Sequence, residues 1–407
     1  MSRAARAVLL LGITQIIGYA TLMYSVVLAV PQISDSFGWS RAFGLGGFSL
    51  ALIVAGLASP RVGRLIQRFG GRGVMAGGSA TAACGLAAMS LVDGPVSYLL
   101  VWSLLGLGMA ATLYDPAFAT LGSLFAGRAR RLITALTLIA GFASTIGWPT
   151  TLYLLETLGW RETYLVFAAV TALVALPLHL ALPRPEAVAA RPDAGVPGGP
   201  LPEAGGIFPD ARRRRYAFLL LALAFSSAAF QFVGLSAHLL ALLGDLGMPA
   251  AAAVMVGTLI GPSQVAARVL ELWWARNVSP LAVALTSGGV ILLAFVMLSV
   301  LGVDTLSASV FAILYGGSNG LSTIVRGTLP LYLFGADGYA VLLGRIARPV
   351  LIVGALAPFA LGVAFDFAGA SAALALAFAA SCLSCAALVA IVVLRGHVSR
   401  VDLPLRG

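Results

Sequence analysis

The sequence predicts an all-α membrane protein: twelve transmembrane helices arranged as two pseudo-symmetric six-helix bundles. Composition is the first reason. Hydrophobic residues make up 60% of the 407, mean hydropathy is +1.00 and only 10% are charged, against about 25% in soluble proteins. A soluble chain of this length has too little interior to hide so much apolar surface. The second reason is spacing: apolar runs long enough to cross about 30 Å of hydrocarbon recur from end to end. The third is charge. The net charge of +10 rests on arginine alone, with no lysine, and the arginines flank the apolar runs. A nucleic-acid-binding protein would gather them on a polar face. This arrangement instead orients helices and meets anionic lipid head groups.

Arg3 and Arg6 precede Val8–Val30, a run too long for a signal-peptide core and read as a retained first span. Further spans follow at 42–60, 73–92, 96–125, 132–153 and 162–182. Residues 183–211 then lose apolar periodicity and carry Pro183, Pro185, Pro192, Pro197, Pro200, Pro202 and Pro209 among Ala and Gly. That is the composition of a flexible linker. Arg212–Arg215 close it, and six more spans read at 216–243, 248–271, 279–301, 305–334, 340–365 and 370–394. The expected domains are therefore 1–182 (N-terminal six-helix bundle), 183–215 (cytoplasmic linker with a basic end) and 216–407 (C-terminal bundle and short tail). With the N-terminus inside, the inner loops hold almost all the arginines, whereas the outer loops hold only Arg41 and Arg161. This asymmetry predicts a multi-pass protein of the cytoplasmic (inner) membrane with both termini cytoplasmic. Trp39 and Trp160, beside the two outer arginines, suit the outer interface.

Cys84, Cys382 and Cys385 fall inside apolar segments, so no disulfide framework is implied. His179, His238 and His397 have no Cys, Asp or Glu at metal-ligand spacing. No metal, other cofactor or enzymatic centre is expected, and no nucleic-acid partner.

The series Ser59–Arg72, SPRVGRLIQRFGGR, reads as an arginine-rich turn between two spans, holding Arg61, Arg64, Arg68 and Arg72. Its Gly63-x-Leu65-x-Gln67-Arg68-Phe69-Gly70-Gly71-Arg72 resembles the loop motif of the major facilitator superfamily, which joins that family's second and third helices. Gln67 stands where the family usually has Asp. Arg268, Glu271 and Arg276 repeat the spacing of Arg64, Gln67 and Arg72 between a later pair of apolar runs. Two halves built on one plan would give such an echo, as in transporters with internal repeats. The resemblance implies a gate at these positions: Arg64, Gln67, Arg68, Arg72, Glu271, Arg276 and, in the eleventh span, Arg348. Gln264-Val265-Ala266-Ala267-Arg268 also resembles the eighth-helix Asp-x-x-x-Arg of monocarboxylate transporters, with Gln264 in place of the acid. Gly38-Trp39-Ser40-Arg41 and the series Gly344…Pro358…Gly362…Asp366 lean towards the same branch and the related oxalate–formate exchangers.

The resemblance implies that the first, fourth, seventh and tenth helices line a central path, and polar stripes run along these helices. Thr14, Gln15, Gly18, Tyr19 and Ser25 fall roughly on one face of the first. Ser227, Gln231, Gly234 and His238 in the seventh, and Tyr315, Asn319, Ser322 and Arg326 in the tenth, follow i, i+4, i+7, i+11. Small polar residues also glue transmembrane helices together, and for Ser227, Gly234 and Ser322 both readings stand. Arg326 lies several residues inside its span, where a guanidinium needs a cavity, an anion or a carboxylate. The candidate solute contacts are Arg326, Asn319, Tyr315, Gln231, Tyr19, Gln15 and Arg268.

Asp115 falls near mid-membrane in the fourth span, with Pro116 set to kink the helix by removing a bond to the Thr112 carbonyl. It reads either as a proton-coupling carboxylate or as a structural acid paired with Arg131 or Arg326. The family's fourth-helix arginine, linked with proton coupling, would fall at Trp102 and is missing. These residues point to a monomeric secondary transporter that moves a small solute, an organic or inorganic anion such as a monocarboxylate, by alternating access. A coupled proton remains open. The alternatives are a drug or metalloid efflux carrier and, from another class, a solute sensor with a carrier's fold but no flux.

Overall fold

The computed structural model describes residues 2–184, 206–208, 210–275 and 278–401; Arg276 and most of the expected linker lie outside them. The described elements are all helical. They are α1 (Arg3–Phe37), α2 (Arg41–Phe69), α3 (Gly71–Met89), α4 (Pro95–Leu124), α5 (Ala126–Thr157), α6 (Trp160–Leu180), α7 (Ala211–Asp245), α8 (Ala250–Trp274), α9 (Pro280–Leu301) and α10 (Thr305–Phe334). The helix Tyr339–Val401 is divided at Gly369 (φ 77°, ψ 178°) into α11, residues 339–368, and α12, residues 370–401. Among the described residues, ten segments are long and apolar enough to cross a membrane, counting Tyr339–Arg395 as one. The division at Gly369 and the 19-residue, glycine-rich α3 bring the described helices to the twelve the sequence predicts.

Local chemistry sets many of the ends. Ser40, Ser279 and Asp304 each accept a bond from the amide three residues on, at the starts of α2, α9 and α10. Gly38 ends α1 in the left-handed region (φ 67°), which a residue with a Cβ rarely adopts. One expectation changes here. The arginine-rich series is not a turn from Ser59 onward, because α2 runs through Pro60 to Phe69 and the turn shrinks to Gly70 (φ 79°, ψ 163°). Only the Gly70-Gly71 pair offers a true break; a proline by itself is tolerated within a membrane helix.

The contacts divide the chain into two compact units. The first holds α1–α6 with Gly338–Ala355 of α11; the second holds α7–α10, the rest of α11, and α12. An apolar cluster fills each. Trp102, Tyr98, Leu86, Met89 and Phe167 sit in the first, and Phe295, Phe311, Tyr315, Leu235 and Leu361 in the second. Large apolar side chains such as Leu91, Leu173, Trp273 and Phe367 point outward, as a lipid-facing surface requires.

Within the first unit α2 crosses the opening half of α11 closely. A Cβ on Gly63 would stand 2.4 Å from the Ala340 carbonyl oxygen, and one on Gly344 would stand 2.4 Å from that of Ser59. Both glycines let the backbones touch.

Candidate functional site

In the first unit the site is built where α4 breaks. Leu113 is extended (φ −79°, ψ −162°), and a new helix starts at Tyr114. Pro116 has no N–H to offer the Thr112 carbonyl; Gln15 Nε2 of α1 donates to that oxygen instead, at 2.7 Å. Gln15 is thus committed through its nitrogen to the α4 backbone, and its Oε1 is buried with no hydrogen-bond partner among the described residues. Asp115 lies in the first turn of the restarted helix, half-buried, where exposed amides favour a carboxylate. The Tyr339 phenol lies within coulombic range of it.

Beside the break runs an aromatic row. Tyr19 packs on Tyr114 (4.7 Å between ring centroids), Tyr114 stacks on Phe118 (5.1 Å), and Tyr24 lies between Tyr19 (6.1 Å) and Trp148 (6.4 Å). Tyr19 precedes and Tyr24 ends a π-helical turn, Ala20–Tyr24, a feature frequent at functional sites. Tyr19 is among the candidate solute contacts expected from sequence, and Tyr24, Tyr114 and Trp148, which were not, lie in the same row. The only signal was their bulk near a stripe of small and polar residues. Position 102, where the resemblance implies an arginine, holds a buried tryptophan. Its ring lies so close to Gly47 that a Cβ there would stand 2.3 Å away.

In the second unit the polar stripes separate into packing and a charged cluster. Tyr315 is 1% exposed, donates to the Phe232 carbonyl (2.9 Å), lies 2.8 Å from Ser236 Oγ and stacks on Phe232 and Phe311. Ser322 meets Ser287 of α9 at 2.8 Å. On α7, a Cβ at Gly234 would meet Leu361 and the Ala357 carbonyl, and His238 Nε2 lies 2.8 Å from the Pro358 oxygen. A carbonyl only accepts, so Nε2 carries the proton. Gln231 is buried, its Nε2 without a partner among the described residues.

The α8–α10 interface gathers the charge. A Cβ on Gly316 or Gly320 would stand 2.5 Å from the Ile260 oxygen or 2.4 Å from the Gln264 oxygen. This small-residue seam seats Arg268, only 5% exposed, against α10. Its Nε reaches the Gly320 carbonyl at 3.5 Å, and its Nη2 donates to Thr323 Oγ1 at 3.3 Å. Thr323 passes its own proton to the Asn319 carbonyl (2.9 Å). Glu271, one turn on from Arg268, is 4% exposed. Asn319 and Arg326 are half-buried on the same helix as Thr323.

The gate candidates differ in setting. Arg64, Gln67 and Arg68 are exposed, Arg68 lying over the Phe69 ring (5.0 Å), and Arg72 is half-buried. Arg348 is exposed, while its carbonyl faces Gly56 of α2. Of the two tryptophans expected at the outer interface, Trp160 is buried and donates to Ser36 Oγ (3.0 Å), so it ties α6 to α1.

Long helices with apolar outer faces and a few buried polar groups within each unit define a polytopic membrane protein. The profile of the Major Facilitator Superfamily matches residues 10–344, and the chain belongs to that superfamily of transporters. Monocarboxylate transporter 11 of Mus musculus is 32% identical over 268 residues, which is 62% of this chain and 55% of that protein. Its Homo sapiens counterpart is 30% identical over 263 residues, 62% of this chain and 52% of that one. The chain spans about half the length of these relatives. Among solved structures, the human organic anion transporter MFSD10 (TETRAN) aligns with a TM-score of 0.71 at 15% identity, over 95% of this chain and 100% of that one. At that identity the likeness concerns the fold.

Proposed function

We propose that this chain is a secondary active transporter of the cytoplasmic membrane, with both termini cytoplasmic, moving a small organic anion of the monocarboxylate class by alternating access. The observation that carries this reading is the buried guanidinium of Arg268, seated on the turn of α10 that bears Asn319 and Thr323. A buried arginine keeps its charge at any physiological pH and offers a planar fork matched to a carboxylate. Arg326 adds a second half-buried cation on α10. Similarity to monocarboxylate transporter 11 supports the same solute class.

Asp115 is the coupling candidate, because a carboxylate can take up and release a proton where arginine cannot. The arginine-bearing end of α2, beside its glycine crossing with α11, serves as the gate in this reading, together with Glu271, Arg276 and Arg348. The aromatic row Tyr114–Tyr19–Tyr24–Trp148 favours a second reading: a drug efflux carrier for a bulky, neutral solute.

Uptake of labelled monocarboxylates into proteoliposomes separates the readings. Arg326→Lys should weaken uptake although charge is kept, because a point charge cannot replace a bidentate fork. Asp115→Asn/Arg326→Ala should stay inactive if Arg326 binds the anion. Recovery of uptake by that double variant would reduce Arg326 to a partner of Asp115 and end its assignment to the solute.

A further inference from the structure

Three helix ends outside the proposed solute path meet on one face of the first unit. α1 begins at Arg3, α3 begins at Gly71, and α6 ends at Leu180. Between them opens a cleft of about 500 Å³, lined by Arg3, Arg6, Arg72 and Arg184 with Leu180 and Leu182. None of the described residues lining it is acidic.

The two helix starts are charged against their own dipoles. The first turns of α1 and α3 hold arginine and no acid, although the positive pole of a helix favours negative charge there. α3 also has no side-chain cap at Gly70, so its leading amides add donors at this end. Arg3 donates to the Arg184 carbonyl, which ties the cleft's two rims together. Four arginines lining one space with no acid among the described lining residues call for an anion with several acceptor oxygens.

We propose that this cleft holds the phosphate of an anionic phospholipid head group. The apolar surroundings favour a lipid over a soluble phosphate. Leu180 at the rim is 44% exposed, and Leu173 farther along α6 is 75% exposed, so the cleft opens onto surface suited to acyl chains. Arginine pockets between transmembrane helices are a recurrent way of holding such head groups. Arg72, which the gate reading also uses, would place the lipid where it biases gating.

Native mass spectrometry of the purified protein titrated with cardiolipin, phosphatidylglycerol or phosphatidylcholine tests this. The wild type should hold one anionic lipid about tenfold more tightly than phosphatidylcholine. Arg6→Gln/Arg184→Gln should lose most of that preference. Both side chains are exposed, so the fold should survive, which an unchanged melting temperature in detergent checks. Arg212→Gln/Arg215→Gln, removing the same charge from exposed positions on α7, should keep the preference. Equal loss in both variants would reduce the effect to general surface charge and overturn the site. No preference in the wild type would show the cleft's charge satisfied within the chain, with the same consequence. Displacement of the lipid by millimolar inorganic phosphate would assign the cleft to a soluble anion and overturn the lipid proposal.

Discussion

The series Arg64-x-x-Gln67 at the end of α2 and its counterpart Arg268-x-x-Glu271 in α8 share a spacing and face opposite surroundings. Arg64 and Gln67 are exposed, whereas Arg268 and Glu271 are 5% and 4% exposed. Equal spacing places each pair on one helix face; the neighbouring helix decides what that face meets. In α8 the neighbour is α10, drawn in by Gly316 and Gly320 until backbone touches backbone. The same arginine that water screens in the first copy sits in a low dielectric in the second, where its hydrogen bonds count for more. The same spacing thus lies on the surface in α2 and in the interior in α8.

The largest effect should come from the buried pair. Arg268→Ala leaves the Gly320 carbonyl and Thr323 without their donor, at a cost of about 2 kcal/mol, and in the proposed site it also abolishes uptake. Arg64→Ala should stay within about 0.5 kcal/mol. Melting temperatures in one detergent, with flux assays alongside, compare the two. Glu271→Ala should likewise shift the accessibility of engineered cysteines far more than Gln67→Ala. Equal effects of the two would break the comparison.

A smaller effect sharpens the account of why the second copy is buried. Gly320→Ala puts a methyl group against the Gln264 backbone and should cost about 1–3 kcal/mol through overpacking. At Gly317 the added Cβ would lie 3.8 Å from Ala267, ordinary contact, so Gly317→Ala should gain up to about 1 kcal/mol of helix propensity. Thermal melts of these two variants, three residues apart, should therefore move in opposite directions.

The smallest concerns the start of α10. Asp304 accepts from the Ser307 amide and hydroxyl, and the amide bond above all holds its carboxyl below the usual value of 3.8. A depressed carboxylate contributes stability that is present above the unfolded value and lost as pH falls through the folded one. Acid titration below about pH 4 should fray the first turn of α10, and Asp304→Asn should remove that pH dependence. Hydrogen exchange at Ser307 reads it.

Helix existence was legible because every span had to be apolar for about 30 Å, and several ends carry a capping residue visible in the string, such as Ser40, Ser279 and Asp304. The path of α2 beyond Ser59 was not, since Pro60 reads as a breaker and only the surrounding helices let it continue. Pro116 announced the kink in α4, but not the residue that answers it. Gln15 lies 97 positions from Thr112 in sequence, and nothing in its stripe separates a solute contact from a cap on a freed carbonyl. The partners of Tyr315 were hidden in the same way. Its spacing matched Asn319 and Arg326, but its length carries the hydroxyl to α7 and Ser236. Spacing fixes a direction from the axis and leaves open what stands there.

The π turn at Ala20–Tyr24 carries a lesson about tolerance to change. A residue inserted into an α-helix rotates everything beyond it by about 100°, which for a membrane helix would turn a lipid face inward. A single wide turn takes up the extra residue locally, leaving both flanking segments in phase with their own neighbours. Deleting one residue from 20–24 would close that turn to an ordinary α-turn and leave Gln15 and Tyr19 in line with Val26, Val30 and Ile33 in the core. The α1 helix therefore consists of two independently registered halves, and inherited insertions or deletions in this span should concentrate at that seam.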